Sequence, residues 1–211
     1  MKVLVIAPHP DDESIGCGGT LCLHAKNGDR ITVVYLTSGE LGLKHLPRDK
    51  AWLTREREAE KAARILGVSA SYFLRLPDWR TGENISKAAK QLAPLLKRAK
   101  PDLVYLPHEQ EWHPDHKAAL PIVRAALRGL RRPGPTLRTY EVWTPLFDYD
   151  RVEDISTVMP RKLRALQAHH SQLKEFDYAR AVSGLNAFRG ELAARCRYAE
   201  VFQTIDPKRG K

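Results

Sequence analysis

Two short stretches of the chain crowd together side chains able to bind metals and carry protons. One is Pro8-His9-Pro10-Asp11-Asp12-Glu13, directly after an apolar run. The other runs from Pro107 to His116 and contains His108, Glu109, Glu111, His113, Asp115 and His116, including a second His-Pro-Asp. Imidazole nitrogens and carboxylate oxygens are the ligand atoms of catalytic zinc sites, in which three protein ligands leave a position open. His9 and Asp12 from the first stretch, with one histidine from the second, would complete such a set. The plainer reading of Asp11, Asp12 and Glu13 is that they favour a following helix N-terminus through its dipole. That reading leaves His9 unexplained, because an imidazolium gains nothing there.

A shared site requires the chain to bring together positions about a hundred residues apart. Apolar runs at 3–7, 31–36, 72–76 and 103–106 read as strands, with 140–143 a weaker candidate. Helical patterns occupy 18–27, 54–66, 85–99, 117–127 and 161–176, and Gly28 and Gly67 stand where the first two should stop. This alternation predicts right-handed βαβ crossovers and a parallel sheet covered on both faces. Ligands of such sheets sit beyond the carboxyl ends of the strands, near a topological switch point. Both His/Asp stretches begin where an expected strand ends, so they should converge on one rim. The expected fold is α/β, a Rossmann-like three-layer sandwich with a mostly parallel sheet.

At 211 residues and 23.9 kDa the chain is the size of one domain, taken here as 1–211. The Arg131–Pro135 stretch reads as a surface loop rather than a boundary. Three cysteines, Cys17, Cys22 and Cys196, form no C-x-x-C pair and no disulfide framework, which points to the cytoplasm. The opening residues do not read as a signal peptide, and no apolar run reaches the roughly 18 residues of a membrane span. Lysine and arginine exceed acids by 35 to 25, a net charge of +10. Much of that surplus is dispersed along the second half, so no nucleic-acid partner is expected. The competing class is a basic nucleic-acid-binding protein with structural metal sites. It calls for a closed four-ligand site and interleaved aromatic and basic residues, and the sequence has neither. Gly16, Gly18 and Gly19 fall short of a dinucleotide fingerprint, and the carboxylates in the same turn would repel a pyrophosphate. Trp79, Trp112 and Trp143 read more readily as packing residues than as a sugar-binding surface.

The motifs Ala7-Pro8-His9-Pro10-Asp11-Asp12-Glu13 and His113-Pro114-Asp115-His116 resemble those of the LmbE-like or PIG-L-like zinc-dependent N-acetylglucosaminyl deacetylases. Supporting matches are Arg55 and Glu58 ahead of Leu66-Gly67, the Ala168–Gln172 stretch, and Tyr198–Phe202. The resemblance implies His9, Asp12 and His116 as metal ligands and Asp11 as general base. It implies His113 as the oxyanion stabiliser, protonated and oriented by Asp115. Arg55 and, more loosely, Asp78 fall where substrate is held, and Glu40, at the end of the second strand, is a further candidate substrate contact. The implied reaction is hydrolytic removal of an acetyl group from an N-acetylglucosamine conjugate, a small-molecule substrate. The implied cofactor is zinc, with iron as the other metal a two-histidine, one-aspartate set accepts. Homo-oligomers are implied as well. Within enzymes, the alternative is a zinc hydrolase of another amide or ester.

Overall fold

The computed structural model describes residues 1–128, 134–174 and 176–206; most of the Arg131–Pro135 loop lies outside the described residues. The strands are β1 (Lys2–Ala7), β2 (Arg30–Tyr35), β3 (Ala70–Phe73), β4 (Leu103–Pro107), β5 (Thr136–Tyr140), β6 (Arg151–Asp154) and β7 (Ala199–Ile205). The helices are α1 (Asp12–Gly16), α2 (Gly18–Lys26), α3 (Arg48–Leu66), α4 (Ile85–Ala99), α5 (Pro114–Leu127), α6 (Met159–Gln167) and α7 (Tyr178–Arg189). All seven strands join one sheet in the order β3-β2-β1-β4-β5-β7-β6. The first five run parallel, and β7 is antiparallel to both β5 and β6.

Alternation along the central strands builds two cores. Val3, Val5 and Ala7 of β1, with Ile31, Val33 and Tyr35 of β2, pack against Leu21, Ala59, Ala62, Leu66 and Leu166 from α2, α3 and α6. Leu4 and Ile6, with Val34 and Leu36, point to the opposite face and meet Leu92, Leu96, Ala119 and Ile122 from α4 and α5. Strands buried on both faces carry continuous apolar runs for this reason. The result is the expected three-layer α/β sandwich with a mostly parallel sheet.

Several elements differ from the sequence expectation. The fifth strand occupies Thr136–Tyr140 rather than 140–143, because Glu111 takes the backbone N–H groups of Val142, Trp143 and Thr144 and turns the chain there. α3 begins earlier than expected, at Arg48, and α6 stops at Gln167 rather than 176. β6, β7 and α7 come in addition. β7 is tied to the first layer by Glu200, whose buried carboxylate accepts from the N–H groups of Gly19 and Thr20 at 2.8 Å each. Lys162 on α6 ion-pairs with the same carboxylate at 2.6 Å.

β1 and β4 lie side by side at the centre. The chain leaves β1 toward β2 and β3, then returns to place β4 on the other flank. The switch point therefore falls between these two strands, and both His/Asp stretches emerge from it.

Candidate metal centre and active site

Each of the two stretches folds into the start of a helix. After β1, Asp11 precedes α1 with φ 131° and ψ −25°, a backbone conformation that costs a non-glycine residue energy. Arg55 of α3 secures this turn, donating to the Pro10 carbonyl at 2.7 Å and to Asp11 Oδ2 at 3.0 Å. Its other terminal nitrogen donates to the Gly39 carbonyl at 2.9 Å. Gly39 has φ +61°, and a Cβ there would lie 2.1 Å from the guanidinium. Glu13 accepts the Asp11 N–H from the other side at 3.3 Å.

After β4, His113 is the N-cap of α5, its Nδ1 accepting from the Asp115 N–H at 3.2 Å. Pro114 supplies the preset φ of a first helical residue. Asp115 and His116 follow in the same first turn, so one short motif delivers three side chains to the rim.

The two helix starts meet. His9 Nδ1 lies 3.2 Å from His116 Nε2, and Asp12 Oδ2 is 3.3 Å from each. Four ligands about 2.0–2.1 Å from a tetrahedral ion stand about 3.3–3.4 Å apart, so these three atoms have the spacing of one coordination face. The outer nitrogens show which lone pairs point inward. His9 Nε2 faces Asp78 Oδ1 at 3.1 Å and Asp115 Oδ2 at 3.2 Å. His116 Nδ1 faces Glu111 Oε2 at 3.5 Å. With the outer N–H of His9 directed at Asp78 and Asp115, and that of His116 turned toward the more distant Glu111, His9 Nδ1 and His116 Nε2 would be inward acceptors, the carboxylate–histidine arrangement found around protein metals. Three converging acceptors are mutually repulsive unless a cation sits among them, so the residues fit a divalent metal. His113 also lies close enough to group with His9 and His116, their ligand atoms falling within 4.8 Å of one another. The shorter, even spacing favours the set containing Asp12.

The electrostatics agree. Burial disfavours an imidazolium at His9, but Asp115, Asp12 and Asp78 outweigh it and hold its pKa well above the ordinary value. Burial likewise opposes charge at His116, and Asp12 and Glu111 raise it to about 8. A field that draws a proton so strongly draws a dication as well. Asp12 is pushed up by burial, yet His116 and His9 carry it far below the usual carboxylate range. Asp11 is raised to about 6 by burial, with Arg55 opposing. His113 is lowered to about 4, by burial first and then by the charges of His9 and His116.

These contacts correct several expectations. The Asp115 carboxylate does not orient His113. It accepts from His9 Nε2, the Trp79 N–H at 2.7 Å, and the Thr81 N–H and hydroxyl at 3.0 and 2.9 Å. Burial and the neighbouring imidazoles disfavour the expected imidazolium at His113, and the Asp115 backbone N–H, not its carboxylate, donates to His113 Nδ1. Asp78 is buried against His9 and the Leu41 N–H, although it still lines the cavity. Glu40 is engaged by Arg48 at 2.8 Å and Trp52 at 3.0 Å, and it is not among the cavity-lining residues.

A cavity of about 560 Å³ opens beside this cluster and is lined by His9, Asp11, Asp12, Arg55, Asp78 and His113, while His116 is fully buried and is not among its lining residues. Its wall is aromatic. Trp79 and Trp112 are half exposed, and Trp143 and Phe176 also reach solvent, so the tryptophans are not packing residues. Trp79 itself has φ 67°. Glu111, which the sequence reading does not single out although it sits inside the second His/Asp stretch, lies 3.5 Å from His116 Nδ1 and anchors the backbone of Val142 to Thr144.

A Rossmann-like sheet carrying at its switch point a buried His/Asp cluster that could hold a metal ion defines the class: an α/β protein of the doubly wound type with its candidate site at the strand ends. The chain belongs to the PIG-L family (GlcNAc-PI de-N-acetylase), which matches over residues 4–127 and so spans both motifs. Diacetylchitobiose deacetylase of Thermococcus kodakarensis is 31% identical over 82% of this chain and 71% of its own. Among solved structures, the conserved protein TT1542 from Thermus thermophilus is 32% identical with a TM-score of 0.86, covering 100% of this chain and 97% of that one. N,N'-diacetylchitobiose deacetylase from Pyrococcus horikoshii, complexed with its inhibitor MPG, is 28% identical with a TM-score of 0.83, covering 97% and 84%. No helix among the described residues is long and apolar enough to cross a membrane.

Proposed function

We propose that the protein is a metal-dependent N-deacetylase that hydrolyses the acetamide of an N-acetylglucosamine conjugate in the cytoplasm. The observation that carries this reading is the trio His9 Nδ1, Asp12 Oδ2 and His116 Nε2, spaced 3.2–3.3 Å apart, with the Asp11 carboxylate beside it at the cavity floor. Deacetylase relatives that span most of the chain support the substrate class.

His9, Asp12 and His116 would hold zinc or iron. The metal would supply Lewis-acid chemistry, making water acidic near neutral pH and polarising a carbonyl. The chain's own groups do the rest. Asp11, raised by burial and held by Arg55, is the general base that takes a proton from the attacking water. Because His113 Nδ1 accepts the Asp115 N–H, the imidazole proton sits on Nε2, where a neutral donor can stabilise the developing oxyanion. The proton received by Asp11 is then available to the departing amine. Acetate and a free amino sugar are the products, and the base is regenerated. Asp78, Asp115 and Glu111 fix the imidazoles. A three-ligand set of which His9 and Asp12 line an open cavity suits catalysis, whereas a structural site is closed by four.

The test is acetate release from a panel of N-acetylglucosaminyl conjugates by zinc-loaded and chelator-stripped protein. Release that needs the metal is expected. Metal-dependent hydrolysis of other amides or esters, with none of acetamido sugars, would overturn the substrate class. Equal release from stripped protein would overturn the metal.

A further inference from the structure

The aromatic residues line the cavity as a continuous series of rings that starts beside His113. The Trp79 ring lies 4.5 Å from that of His113, and Trp112 follows 6.2 Å from Trp79. Trp143 is 6.5 Å beyond Trp112, and Phe176 6.1 Å beyond Trp143. Trp79 is the ring nearest His113, and Trp143 and Phe176, farther along the series, line the same cavity. Exposed rings in a row are costly to leave wet, and flat apolar faces are what they bind. The backbone under Trp143 is held by Glu111, which accepts its N–H at 3.0 Å, so the ring projects from a fixed base. Cations, by contrast, are scarce at the mouth. Of the lining residues Arg55 is committed to Asp11, Pro10 and Gly39, which leaves Lys44, while Asp11, Asp12 and Asp78 are acidic.

We infer that Trp143 and Phe176 form a platform for the aglycone, and that the substrate is an N-acetylglucosaminide whose second half is another pyranose ring rather than a small carboxylate. This rests on the deacetylase reading for the reacting sugar, but it is tested by binding. The Asp11→Asn protein, loaded with zinc, is titrated calorimetrically with N,N'-diacetylchitobiose, N-acetylglucosamine and N-acetylglucosaminyl malate. The disaccharide is expected to bind about tenfold more tightly than either of the others, the worth of covering one sugar face. Introducing Trp143→Ala or Phe176→Ala should bring the disaccharide-to-monosaccharide ratio close to one, and Trp143→Phe should restore most of it. Equal binding of the two sugars, tighter binding of the malate conjugate, or an unchanged ratio in both alanine variants would overturn the platform. A change of oligomeric state in Trp143→Ala, without a change in the ratio, would overturn it too and assign the rings to a subunit contact. If the ratio behaves as expected while wild-type protein releases no acetate, the platform stands and the deacetylase reading fails.

Discussion

Replacing Asp78 with asparagine isolates what the outer carboxylates do for the metal centre. Asp78 accepts two N–H groups, from His9 Nε2 at 3.1 Å and from Leu41 at 3.0 Å. An amide of the same shape can offer oxygen to one of them only, and it turns an N–H donor toward the other. His9 keeps Asp115 Oδ2 at 3.2 Å as a second acceptor, so its proton stays on Nε2 and its inward lone pair survives in part. Loss of one such supporting contact weakens metal binding by about 10- to 100-fold. With a second acceptor in place the lower figure applies, about tenfold or 1.4 kcal/mol. The double variant Asp78→Asn/Asp115→Asn should reach about a hundredfold or more, since no carboxylate then faces His9 Nε2. Competition against a fluorescent zinc chelator measures both, with thermal unfolding as the control for folding. Wild-type zinc affinity in a folded double variant would refute the assignment of these residues to His9.

Asp11→Asn should retain zinc while acetate release falls by about 10²–10⁴-fold, the usual worth of an acid–base group, as read by metal analysis beside a kinetic assay. Gly39→Ala should disturb Arg55 and with it the strained Asp11 turn, lowering kcat with zinc content unchanged, because its Cβ would meet the guanidinium at 2.1 Å. Lys162→Met leaves the buried Glu200 carboxylate without its cation and should cost about 3–5 kcal/mol. That corresponds to a drop of several degrees or more in the melting temperature. Cys17 and Cys22 are buried, and burial pushes the Cys22 thiol up to about 11. Iodoacetamide at pH 8 should therefore label Cys196 alone in the native protein and all three cysteines in denaturant.

The parts of the fold legible in the sequence were those built from local pattern. β1, β2 and β4 are buried on both faces and read as unbroken apolar runs, and α4 spans the expected Ile85–Ala99. β7 hid because Glu200 interrupts it, and the Lys162 and helix N–H partners that make that carboxylate tolerable come from far along the chain. β6 is an edge strand, Arg-Val-Glu-Asp, with no apolar alternation to announce it. The apolar stretch 140–143 misled because Glu111, distant in sequence, takes its backbone donors. The candidate site divides the same way. Residue type and position after β1 and β4 pointed to His9 and Asp12 with one histidine of the second stretch, and the family resemblance named that histidine as His116. Which carboxylate faces which imidazole depends on loop paths that spacing does not encode. The resemblance implies Asp115 beside His113, whereas the loop path of Trp79 and Thr81 turns the Asp115 carboxylate to His9, and nothing in the spacing marks Glu111.

The most direct test of the central claim is anomalous diffraction at the zinc edge from crystals of the zinc-loaded protein. One peak about 2.1 Å from His9 Nδ1, Asp12 Oδ2 and His116 Nε2, with its remaining side open to the aromatic cavity, is the predicted result. A peak that takes His113 in place of Asp12, or a closed site with four protein ligands, or no peak between the two helix starts, would contradict the account.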